Sequence, residues 1–188
     1  MLDNVEQEDS RFKALMALGA GDFEHLNGSL VDHLKGTREL LRHWGAADYL
    51  CDAGLFHAAY GTAGFVETMV DLNQRTNIRQ VIGAEAESLV YLYCSCDRDY
   101  VFTPDIGQSA IKFKDRFTQE CFVLDAVQAR AFCELTVANE LELVLSSADF
   151  AAQYGADLYR LFDNIAYYLS EQAIDAYRSR MAAFANLS

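Results

Sequence analysis

Apolar residues recur at intervals of three and four along most of the chain, the spacing that lines one face of an α-helix, so the pattern predicts a largely helical fold. The first helix is expected over Asp9–Leu18, with Phe12, Leu15, Met16 and Leu18 as its inner face and Gly19-Ala20-Gly21 as its stop. Asn27-Gly28-Ser29 supplies a cap for a second helix, Leu30–Trp44, which Gly45 ends. A third, Ala46–Tyr60, is apolar on most sides and so is expected at the centre of the bundle. Gly61-Thr62-Ala63-Gly64 breaks it as a hinge or turn. Further helices are expected over Gln74–Ile82, Ala84–Asp97, Ala126–Ser146, Asp149–Tyr168 with a break at Gly155, and Ser170–Ala185; Ala126–Ser146 reads as amphipathic.

Between Tyr100 and Leu124 the period changes. Pro104 and Gly107 punctuate the stretch, and Ala110–Lys114 and Phe117–Val123 are rich in β-forming residues, which predicts a small β-hairpin over 110–123 that would cover a pocket. The expected architecture is an all-α single domain over 1–188, with a core over 12–145 and C-terminal helices over 149–186 packed on it.

Charge narrows the partners. Fifteen Lys and Arg stand against 28 Asp and Glu, a net −13, and so acidic a surface repels phosphate backbones and anionic headgroups. Neither nucleic acid nor a membrane surface is expected to bind, and no apolar run approaches the about 18 residues of a spanning helix. The acidic start, MLDNVEQEDSRF, lacks the basic region of an export signal, so a cytoplasmic location is expected. The five cysteines, Cys51, Cys94, Cys96, Cys121 and Cys133, lack zinc-knuckle spacing and read as buried free thiols. Lys35, Arg38 and Arg42 share one helix face and read as a solvated stripe beside Glu39. The tyrosines at 154, 159, 167, 168 and 177 suit helix packing, with a homodimer interface as a further use.

Candidate chemistry centres on histidine. His25 precedes the second helix, His33 lies inside it, and His57 sits on the apolar third helix; Asp32 or another acid would orient an imidazole. His43, beside Trp44, reads as a solvent-facing charge at a helix C-terminus.

The segments Ser29-Leu-Val-Asp-His33-Leu-Lys-Gly36-Thr37 and Gly54-Leu55-Phe56-His57-Ala58-Ala59-Tyr60-Gly61-Thr62, with Asp97-Arg98 and Val137-Ala138-Asn139-x-Leu141-Glu142, resemble an uncharacterised bacterial and fungal family. Its pattern is close to H-S-x-x-x-L-x-D-H-L-x-G-T followed by G-L-F-H-S-x-Y-G-T. More distantly, the spacing of His33 and His57 is similar to that of the HD superfamily of metal-dependent phosphohydrolases, especially alarmone hydrolase domains of RelA/SpoT type. That resemblance implies a helical HD-like bundle and a nucleotide or alarmone phosphate as substrate. Two metal-ligand positions depart from it: Ala58 stands where the bridging Asp would be, and Asn139 where the last Asp would be. Hard divalent ions want anionic oxygens, so the unmodified hydrolase mechanism does not carry over.

Three readings of the pocket follow. In the leading one a small-molecule enzyme of isomerase, lyase or cyclase type uses His57, His33 and His25 as acid and base, with Tyr60 and Asn139 as polar positioners and Thr62, Asp97, Arg98 and Glu142 binding substrate. In the second, His25, His33 and His57 hold Zn or Fe for a hydrolase or oxygenase. In the third, the pocket binds a ligand without converting it.

Overall fold

The apolar periodicity is realised as a helical bundle. In a computed structural model the described residues are 2–18, 24–25, 28–64, 68–107 and 109–185, with side chains described for 10–18, 30–64, 68–107 and 109–185. In chain order the elements are α1 (Leu2–Ala17), β1 (Glu24–His25), β2 (Gly28–Ser29), α2 (Leu30–His43), α3 (Asp48–Phe56), α4 (Arg75–Ile82), α5 (Ala84–Cys94), α6 (Arg98–Val101), β3 (Lys112–Lys114), β4 (Cys121–Val123), α7 (Ala126–Ser146), α8 (Ala148–Asn164) and α9 (Glu171–Arg180). Two antiparallel hairpins interrupt the helices. In one, β1 pairs with β2; in the other, Phe113 of β3 faces Phe122 of β4. The second is the hairpin expected over 110–123.

α2 packs on α3 and α7, α3 also on α5, and α8 and α9 on the outer side of α7. One continuous apolar core runs through these contacts from Leu15 to Met181. α7 is its axis: every residue from Ala131 to Leu141 is buried. The amphipathic reading of this helix is therefore corrected. Between Ala131 and Leu141 its polar residues do not face solvent; they are buried against partners. Glu134 accepts from the backbone N–H and hydroxyl of Ser170, the N-cap of α9, at 2.9 and 2.5 Å. Asp125 starts the helix by accepting from the Val127 and Gln128 N–H groups, with Gln128 reaching back in a capping box.

Three further expectations are corrected. α3 ends at Phe56 and does not reach Tyr60: the chain there tightens into i→i+3 turns, with the Ala59 N–H on the Phe56 carbonyl and the Gly61 N–H on the Ala58 carbonyl, both at 2.9 Å, and the carbonyls this turn presents are met by other parts of the chain. Cys94 Sγ donates to His57 O, the Met69 and Val70 N–H groups to Ala59 O, and Arg116 to Gly61 O. α8 runs unbroken through Gly155, whose bare Cα faces the Phe184 ring. Arg38 is not on a solvated stripe: its guanidinium and that of Arg11 converge on Asp52, which is 2% exposed. Burial raises the Asp52 pKa against the pull of both arginines.

The cysteines are all free, and all but Cys121 are buried. Burial pushes the Cys51 thiol up to about 11 and those of Cys94 and Cys96 up to about 12. Among the described residues no helix is long and apolar enough to cross a membrane.

Two outcomes follow from this packing. Asp52→Ala leaves two guanidinium groups without their shared carboxylate at a buried position, and is expected to lower the unfolding free energy by about 3 kcal/mol in urea denaturation, whereas Glu39→Ala, which removes an exposed pair with Arg42, changes it by less than about 1 kcal/mol. Iodoacetamide at pH 8 is expected to alkylate Cys121 alone in the native protein, since the other thiols are both covered and protonated; peptide mass mapping reads the result.

Candidate active site

Two close helix approaches build the site. At Gly54 on α3, a Cβ would stand 2.6 Å from Leu41 Cδ1 and 3.5 Å from Arg38 Cα, so the missing side chain lets α2 lie directly on α3. At Gly36 on α2, a Cβ would stand 2.8 Å from Glu142 Cγ, so the glycine opens the space through which the Glu142 side chain of α7 passes. These contacts bring His33 of α2, His57 at the C-terminal end of α3 and Asn139 of α7 together.

The three side chains are almost fully buried, and their polar atoms are ordered. Glu142 accepts a hydrogen bond from His33 Nδ1, and the Gly54 carbonyl accepts one from His57 Nδ1 at 2.8 Å. Because both acceptors lack hydrogens, both rings must carry a proton on Nδ1. The opposite nitrogens then meet: His33 Nε2 lies 3.3 Å from His57 Nε2 and 3.0 Å from Asn139 Oδ1. The rings are edge-on, 84° apart. His33 Nε2 thus faces a second imidazole nitrogen and an amide oxygen, while Glu142 engages its Nδ1 from behind.

This cluster forms one wall of a cavity of about 400 Å³. Ala58, Thr62 and Gly64 continue the wall from His57, while Tyr93 of α5, Arg98 of α6 and Glu140 of α7 form a second. Leu30 and Leu143 add apolar surface, and α8 closes the space with Phe150, Tyr154, Asp157 and Leu158. The expectation that the hairpin covers the pocket is corrected: α8 covers it, and Phe122 of the hairpin lines a separate groove with Tyr49 and Tyr91. Arg98 donates to Glu140 at 2.7 Å; burial works against its charge, but the Glu140 carboxylate outweighs burial and raises the Arg98 pKa. That cation is already matched by an anion, which poorly suits a polyphosphate.

The residues singled out from sequence divide accordingly. His33, His57 and Asn139 converge, and Thr62 and Arg98 line the same cavity. Glu142 stands behind His33 and acts through that ring. Tyr60 is not a positioner here: its hydroxyl donates to the buried Glu87 at 3.0 Å, and Glu87 is held by Arg75 at 2.6 and 3.1 Å. Asp97 does not bind in the cavity either; it caps α6 and pairs with Lys114 at 2.8 Å. The side chain of His25 lies outside the described residues, and His43 is exposed as expected. Among the described residues no three His, Cys, Asp or Glu side chains converge to hold a metal. Tyr93 and Glu140 carry no site signal in the sequence, and Tyr154, read there as a packing tyrosine, lines the cavity with Phe150 and Leu158, whose four-residue spacing is that of ordinary helix packing.

Residues 14–98 match a family model described as a domain of unknown function (DUF6817), a stretch that contains His33 and His57 and ends before Asn139 and Glu142. No curated protein and no solved structure matches the chain.

Long-range proton–nitrogen NMR of the histidine rings tests the ordering. Both His33 and His57 are expected to carry hydrogen on Nδ1, and Glu142→Gln is expected to perturb the His33 ring nitrogens while leaving those of His57 near their wild-type shifts; a bare Nδ1 on either ring contradicts the arrangement.

Proposed function

We propose that this protein is a small-molecule enzyme of isomerase, lyase or cyclase type, in which the His33–His57 pair moves a proton on a bound substrate. The observation that supports this most directly is the placement of Glu142 behind His33, which orients the ring while its Nε2 faces His57 in the cavity wall. Each ring has a defined task. His33 holds the proton to be given, His57 presents the lone pair that can receive one, and Asn139 Oδ1 fixes the donor's direction. The apolar surface of Leu30, Leu143, Phe150 and Leu158 would exclude water from the transfer and select a compact substrate with little charge.

The order of His33, His57 and Asn139 along the chain also supports reading the bundle as a divergent HD-like domain. Ala58, almost fully buried, and Asn139 then replace two anionic ligands by neutral groups. This donor set does not fit a hard Mg²⁺ or Mn²⁺ centre.

A second reading rests on the same nitrogens. Ligands about 2 Å from one tetrahedral cation lie roughly 3.3 Å apart, and ligating histidines usually donate their other N–H to an acceptor, as both rings do here. His33, His57 and Asn139 would then hold a nitrogen-preferring Zn²⁺ or Fe²⁺. Such an ion would supply Lewis acidity or an activated water.

The two readings separate in one experiment. Purified protein is incubated with a small-molecule cell extract, with and without EDTA, and conversion is followed by mass spectrometry. Acid–base chemistry predicts a product formed regardless of chelator, with the rate reduced roughly 10²–10⁴-fold in His57→Ala and Glu142→Gln variants. Loss of conversion on chelation, with one equivalent of bound metal in plasma mass spectrometry, supports the second reading. Retention of a ligand without conversion identifies a binding protein and overturns both.

A further inference from the structure

Tyr93 has no role in holding the fold's polar network. It is 5% exposed, yet among the described contacts its hydroxyl has no hydrogen-bond partner. The ring is fixed by neighbours: His57 meets it edge-on at 5.5 Å and 86°, and Phe132 packs on it at 6.0 Å. The charged residues beside it, Arg98 and Glu140, are engaged with each other. A buried hydroxyl left without an acceptor is costly, and native proteins keep few of them unless a water, ion or ligand completes the site. Tyr93 lines the same cavity as the histidine pair. Burial, reinforced by Glu140, raises its pKa, so the phenol keeps its proton and can donate from neutral into alkaline solution.

The geometry points to Tyr93 as the donor that receives a carbonyl oxygen of the substrate, with the Arg98 guanidinium beside it, so that the substrate class is a compact carbonyl compound with a C–H bond next to the carbonyl. This rests on the acid–base reading of the site. The step is an enolisation. The C–H bond breaks and its proton passes to an Nε2 of the imidazole pair; its electron pair forms the new carbon–carbon double bond, and the carbonyl π pair moves onto oxygen. Tyr93 and Arg98 stabilise that oxyanion by hydrogen bonding. Where the substrate carries a β,γ carbon–carbon double bond, the enolate electron pair extends to the γ carbon, and return of the proton there moves that double bond into conjugation and completes an isomerisation, with no oxidant or reductant consumed.

The test uses 4-nitrophenol, whose ionised form mimics an enolate and whose absorbance reports its ionisation. Wild-type protein is expected to bind it as the phenolate. Tyr93→Phe, which keeps the ring contacts with His57 and Phe132, is expected to weaken binding at least tenfold. The free Tyr93→Phe protein is expected to melt at the wild-type temperature or higher, because the hydroxyl it removes contributes no internal hydrogen bond. Binding within twofold of wild type overturns the inference, as does failure of wild type to bind the probe or a lowered melting temperature. Because binding is read apart from turnover, a Tyr93-dependent probe in a protein that converts nothing would overturn the acid–base function and leave the oxygen-binding donor standing.

Discussion

From Ala131 to Leu141 α7 is buried on every side and has no solvent in which to place a charged side chain, yet it carries several polar ones there. Each must find a partner from another element. Glu134 holds the start of α9, Glu140 holds Arg98, and Asn139 and Glu142 meet His33 from different sides. These partnerships fix the positions of α9, α6 and α2 relative to the axis of the bundle. Losing one partner would strand a buried polar group, a larger penalty than the modest net gain of the hydrogen bond itself. The cavity wall is therefore built from the same contacts that hold the core together.

The imidazole pair is the point where this constraint becomes chemistry. Neither ring is free to rotate: one nitrogen of each is tied to an acceptor on a helix, by Glu142 for His33 and by the Gly54 carbonyl for His57. The close packing that makes this possible depends on two positions without side chains, Gly36 and Gly54. Orientation is thus established during folding and requires no rearrangement when a substrate arrives.

Much of the bundle can be read from residue spacing alone, because amphipathic periodicity and caps act locally. α2, α4, α7 and the second hairpin fall close to where the pattern places them. The errors arise where long-range contacts decide. α3 is shorter than its apolar pattern because the chain beyond Phe56 turns so that the His57 and Ala59 carbonyls meet Cys94, Met69 and Val70, contacts the helical period does not encode. His33, His57 and Asn139 are recognisable as polar residues within apolar helices. Tyr60, only three residues beyond His57, groups with them by sequence proximity, but the turn after α3 directs its hydroxyl to Glu87. The α8 wall is invisible for the opposite reason: a ring every fourth residue looks the same whether it packs on a core or closes a cavity.

The covering of the cavity by α8 has a consequence for how such a protein can diversify. The histidines lie in the first part of the chain, whereas Phe150, Tyr154 and Leu158 come from a helix that adds to the outer side of α7. Substitutions along that helix can reshape the chamber without disturbing the ring orientations, since none of its residues hydrogen-bonds to either imidazole in the described contacts. Shape selection and proton handling are consequently carried by separable stretches of polypeptide, so a lineage could retain one reaction while changing the molecules that undergo it.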